Sequence, residues 1–252
     1  MARAFNGDLS NWDISRVIDL TGMFVEALQF NGDVSKWNTA SATSLKRAFD
    51  GAKVFNGDVT KWVTKNVVNM DSLFSNANAF NGDVSEWDTA SATTMRKAFD
   101  GATVFNRDVS KWITKNVVDF HSTFLDSISF NSDLSNWDMS SATDLSHMFM
   151  NANAFAGDLS KWDVSNVKYA HSMFTLASKF NSDVSKWNTN NIVTMEYMVA
   201  YCDVFNGDVS KWDTSSVTSM QYMFQAAKAF DSDISKWDMS SVTNMKNMMK
   251  KE

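Results

Sequence analysis

Tryptophan recurs every 25 residues along this chain, ten times in register: Trp12, Trp37, Trp62, Trp87, Trp112, Trp137, Trp162, Trp187, Trp212 and Trp237. Phenylalanine keeps the same step from Phe5 and Phe30 through to Phe230. So does aspartate: Asp8, Asp33, Asp58, Asp83, Asp108, Asp133, Asp158, Asp183, Asp208 and Asp233. Ten such units account for nearly all of the 252 residues, without insertion or deletion. A unit of this size cannot bury its own apolar face, so it must stack on its neighbours. The expectation is a single repeat solenoid over 1–252, with coils starting at Phe5, Phe30, Phe55 and so on.

Within one unit the apolar residues change period. Trp12 and Ile14 are two apart, the spacing of a strand. Val17, Leu20, Phe24 and Ala27 are three or four apart, the spacing of a helix. Ser or Asn precedes that second run in nine units of ten (Ser41, Asn66, Ser141, Asn191), with Arg16 the exception, and reads as a helix N-cap. The predicted fold class is therefore an α/β solenoid. Short parallel strands would lie on one face and short helices on the other.

Composition excludes other classes. There is no proline, and Cys202 is the sole cysteine, so a disulfide framework is ruled out. No apolar run reaches the roughly 18 residues of a membrane helix, and the start, MARAFNGD, has no apolar signal region. The net charge of −6 argues against nucleic acid as a partner. There is no G-x-S-x-G, P-loop or G-x-G-x-x-G, and a near-identical array offers no pocket of unlike groups. The reading is therefore a non-enzyme, with no cofactor.

The first half duplicates a 50-residue unit: WVTKNVVNMDSLF (62–74) returns as WITKNVVDFHSTF (112–124). The stretches FNGDLSNWDIS (5–15), FAGDLSKWDVSNV (155–167) and SSVTSMQYMFQAAKAF (215–230) carry a more specific pattern. That pattern resembles the 25/26-residue repeat of bacterial surface proteins and mycoplasma lipoproteins, relatives of the BspA-like leucine-rich repeats. The resemblance covers essentially the whole chain. It departs at Phe120 and Ala170 in the Met/Leu column and at Val199 in the second Phe column. It implies a non-catalytic scaffold at the cell surface or outside the cell, with protein partners, and supplies no catalytic residues.

Three surface features bear on function. The Asp column reads as a row of Asx turns, with a Ca²⁺ ladder as its alternative. If Trp12 and Ile14 face inward, the outward strand face shows Lys36, Lys61, Lys111, Lys161, Lys186, Lys211 and Lys236 beside an Asp/Asn column that Val63 and Ile113 interrupt. That face reads either as solvated charge or as a contact surface. On the helical side Tyr197, Tyr201 and Tyr222 are candidate contacts, with packing against neighbouring coils as the alternative. His147 and His171 fall in adjacent coils, but no cysteine or acidic pair completes a zinc set.

Coil one is ordinary from Phe5 onward, and the last residues add only a few charges. Three expectations follow from ends without caps: a fragment of a longer array, a processed subunit, or a subunit that stacks end to end. The functions weighed are an interaction scaffold first, then an assembly subunit docking through its ends, then a Ca²⁺-dependent adhesin.

Overall fold

Each coil is a chain of tight turns. In the first, Ser10, Ser15 and Thr21 donate their N–H groups to the carboxylates of Asp8, Asp13 and Asp19, at 2.8–2.9 Å. An Asx side chain replaces a main-chain turn in this way and sets a corner. Between the corners, main-chain N–H groups reach three residues back: Trp12 to Leu9, Val17 to Ile14, Met23 to Leu20, Ala27 to Phe24 and Phe30 to Ala27. The description rests on a computed structural model and covers residues 2–251.

The coils are joined by main-chain hydrogen bonds along one side. Leu20, Gly22, Phe24 and Glu26 donate to the carbonyls of Ser44, Lys46, Ala48 and Asp50 in the next coil, at 2.7–3.0 Å. The same four rungs recur down the stack; the first rung at Ala170 is the exception. Parallel bridges pair Asp19 with Ser44, Ser44 with Asn69 and onward to Asn244, one residue per coil.

This overturns the α/β assignment. Among the described residues there is no helix, and the only β-structure is those isolated bridges. The bridges lie inside the segment expected to be helical, while the segment at Trp12 and Ile14 forms no ladder. The physical reason is the backbone at two columns. Gly22, Arg47, Ser72, Lys97, Ser122, His147, Ser172, Tyr197, Tyr222 and Asn247 have φ of 53–67°, and Glu26 to Ala226 repeat this four residues on. A left-handed residue at the third place of a turn reverses the next peptide. N–H groups that a helix would bond four residues back point sideways into the next coil instead. Three-residue turns also return apolar side chains inward every three or four residues, which imitates a helical period. The Ser and Asn read as N-caps do something else: Ser41 Oγ donates to Ser15 O (2.7 Å) and Asn66 Nδ2 to Ala40 O (2.9 Å).

The core is a set of columns inside the stack, one continuous cluster from Leu9 to Met248. Every Trp from Trp37 to Trp237 is buried and donates Nε1–H to a carbonyl of the preceding coil, as Trp112 does to Val84 at 3.0 Å. Trp12, in the first coil described, is 55% exposed. Phe24 lies flat on Phe30 at 3.8 Å, and the same pairing recurs at Phe49–Phe55 and Phe74–Phe80. Equivalent rings of the Phe5 column are 5.7–6.3 Å apart, and those of the Phe24 column, nearer the ladder, 5.2–5.8 Å. Hydrogen-bonded chains lie about 4.8 Å apart. The stack therefore curves, with the ladder on its inner side.

Candidate interaction surface

All ten aspartates of the Asp8 column accept the N–H of the residue two positions on. Those hydrogen bonds, from the Ser or Thr two residues on, hold Asp8, Asp33, Asp58, Asp108 and Asp183 below the usual carboxylate range. One oxygen of each is thus committed to its own corner. The neighbouring asparagines form rungs: Asn6 Oδ1 accepts Asn31 N–H, Asn31 accepts Asn56 N–H, and so on to Asn131, which accepts Ala156 N–H. Ala156 has no side-chain oxygen to offer the next coil. Among the described residues no group of three or more His, Cys, Asp or Glu could hold a metal ion.

Lys36, Lys61, Lys111, Lys161, Lys186, Lys211 and Lys236 are all exposed and form one row. They flank an outer corner rather than a strand. Lys111 Nζ is 2.5 Å from Glu86 of the preceding coil. The adjacent column carries Asx corners at Asn38, Asp88, Asp138, Asp163, Asp213 and Asp238. Val63 and Ile113 have no oxygen for that bond and are 38% and 50% exposed. Tyr197 and Tyr222 lie on the ladder side, not on a helix, stacked at 4.6 Å, with Lys246 over the Tyr222 ring. Tyr201, one left-handed position further on, lines a shallow hollow with Leu176 and Asp203. Cys202 is fully buried, its Sγ 2.8 Å from Phe174 O, and burial pushes its thiol up to about 12.

The histidines sit on the ladder side in three consecutive coils. The rings of His121 and His147 are 5.3 Å apart, and those of His147 and His171 4.7 Å. Ser146 Oγ is 3.0 Å from His171 Nδ1, and His121 Nδ1 is 3.8 Å from Asp144. Burial pushes His121 down to about 4 and also lowers His147. A histidine whose pKa falls on folding supports the fold above its ordinary value of 6.5 and loses that support as pH drops. Stability should therefore decline between pH 6.5 and about 4 through these two rings. Burial raises Asp100 to about 6 and works in the opposite sense over part of that window. Thermal melts of a His121→Gln/His147→Asn double variant should show a smaller loss between pH 7 and 5 than the parent. Equal losses would remove the rings as the cause.

Sequence reasoning passed over Lys65, Val68, Lys115 and Val118. Their signal was the KNVV of the 50-residue duplication, which places the same four-residue run in coils three and five. Val68 and Val118 are 41% and 44% exposed.

Ten stacked 25-residue units, joined rung to rung, define a tandem-repeat protein. The chain belongs to the family described as "Mycoplasma protein of unknown function, DUF285", whose model matches residues 1–102, 79–185 and 157–252. These matches span the whole chain; the resemblance to BspA-like repeats in particular is a finer statement than the family match makes. Among solved structures, a chain titled "Crystal structure of TLR13-ssRNA13 complex" is similar at a TM-score of 0.36 and 11% identity. That similarity covers 92% of this chain and 34% of the other, so this chain spans about a third of the structure it matches. No curated protein matches. No helix among the described residues is long and apolar enough to cross a membrane.

Proposed function

We propose that this chain is a non-enzymatic protein-interaction scaffold of the bacterial-surface type, displaying its outer corners to protein partners. The observation that carries this is the division of labour between columns. The aromatic columns from the second coil inward are buried, and the Asp and Asn columns are spent on turns and rungs. What is left exposed at the outer corners is a Lys row, broken at Asn11, Glu86 and Asn136, beside an Asp/Asn column, broken at Val63 and Ile113. A regular row of charges along a stacked frame suits the recognition of an extended partner.

The test is cross-linking of the full chain, through its lysines, to proteins on intact cells of its source, followed by mass spectrometry. The expected result is partner cross-links concentrated at Lys161, Lys186 and Lys211, which weaken when these three are changed to Glu while the chain stays folded. Cross-links spread evenly over every lysine, or none at all, would overturn the reading.

A further inference from the structure

The ladder side carries one cluster that the other coils lack. All three histidines of the chain stand there in consecutive coils: His121 in the fifth, His147 in the sixth and His171 in the seventh. Coils nine and ten hold Gln221 and Asn247 in the same two columns. The rings meet edge to face across each coil boundary, with interplanar angles of 80° and 89°. Ser146 is fully buried and sets its hydroxyl 3.0 Å from His171 Nδ1.

The main-chain ladder has its gap beside this cluster. Ala170 stands where the other coils hold Leu, Met or Phe, and it donates no rung to coil eight. The histidines themselves belong to the rungs. His147 N–H donates to His171 O at 3.0 Å, and His121 O accepts Lys97 N–H at 2.9 Å. His147 also occupies one of the left-handed positions, at φ 58°. A displaced ring therefore acts directly on the backbone that joins its coil to the next.

Charges face the cluster from both sides. Coil four brings Arg96, 3.8 Å from Asp119, and Lys97, 3.8 Å from Asp100. Coil five brings Asp119 itself, which accepts His121 N–H. Coil six brings Asp144, which accepts Ser146 N–H and lies 3.8 Å from His121 Nδ1. Glu196 of coil eight is turned away, accepting Ser219 Oγ–H at 2.5 Å. Burial is the largest influence on His121 and His147 and opposes protonation of both. Arg96 adds to it at His121, and His171 at His147; Asp144 works the other way at both. Opened coils relieve the burial and take up protons that the closed ladder refuses, so falling pH favours opening. Asp119 and Asp100, both raised by burial, pull in the opposite sense. Asp100 lies in coil four, outside the segment, and Asp119 is one group against two rings.

We infer that coils five to seven form an acid-operated hinge, in which protonation of the contacting imidazoles parts the rungs of these three coils while the coils on either side stay stacked. Each coil touches only its neighbours, so a local opening need not spread. The stack then bends between two intact arms. This device is independent of what the outer corners bind.

The test is hydrogen exchange of the full chain, read by mass spectrometry at pH 7 and pH 5, with protection taken relative to the unstructured chain at each pH. Protection over 119–126, 144–151 and 169–176 should fall about five-fold or more at pH 5, and that over 69–76 and 194–201 less than about two-fold. H121Q/H147N should abolish the difference between the two pH values. It carries residues that coils nine and ten already hold in these columns, so its melt at pH 7 should match that of the parent. If the variant melts early, the comparison between coils of the unaltered chain decides alone. A fall shared equally by all coils, no fall in coils five to seven, or a fall that survives in folded H121Q/H147N would each overturn the proposal.

Discussion

Replacing Trp112 by alanine should cost about 4 kcal/mol, the cost of emptying a large aromatic site in a packed core. Trp112 lies 6.2 and 6.3 Å from Trp87 and Trp137, and 5.9 Å from Phe99, so the cavity opens in the middle of the stack. Trp112→Phe separates packing from hydrogen bonding. It keeps much of the ring but loses the Nε1–H bond to Val84 O, which also accepts Trp87 N–H. That carbonyl keeps one partner, so the expected loss is about 1 kcal/mol. Urea unfolding followed by tryptophan fluorescence measures both. Because each coil touches only its neighbours, the alanine variant should also broaden the transition, the two halves of the stack unfolding less in concert. A loss below about 2 kcal/mol for the alanine variant would show that the Trp column is not the main support of the core.

The second large effect is expected at Lys97. Its φ is +55° and its N–H donates to His121 O at 2.9 Å. Proline fixes φ near −65° and has no N–H, so Lys97→Pro conflicts with both and should cost more than about 3 kcal/mol. Lys97→Gly is the informative control. In a helix interior glycine costs about 1 kcal/mol. Here glycine relieves a left-handed backbone worth about 1–2 kcal/mol, against its own entropy and the lost contact to Asp100. The glycine variant should therefore be near neutral. A loss of more than about 1 kcal/mol for glycine would argue that the segment is helical in solution. The same geometry explains why the chain has no proline: the coil's amides are largely spent in turns and rungs.

The candidate surface was partly legible in the sequence. Val63 and Ile113 stood out because they broke an otherwise polar column, and a break in a repeat is visible without a structure. Val68 and Val118 were not singled out. They lie at the edge of the segment read as helix, where a valine carries no sign of being inside or outside. The tyrosines were assigned to a helical face, and their stacking depends on the left-handed residues that replace that helix.

By itself the sequence determined that residues 25 apart are neighbours, and hence which columns are buried, which aspartates recur at corners, and that the chain is a tandem stack. Those follow from periodicity, because a repeat too small to bury its own face has no other partner. Only the tertiary structure decided how the backbone runs between the columns. An apolar spacing of three and four is satisfied equally by a helix and by consecutive three-residue turns. The choice belongs to the main-chain N–H groups, which look the same in every residue. In an isolated coil they would bond within the coil; in the stack the carbonyls of the next coil lie within reach, and four sideways bonds per coil outweigh the left-handed backbone they require.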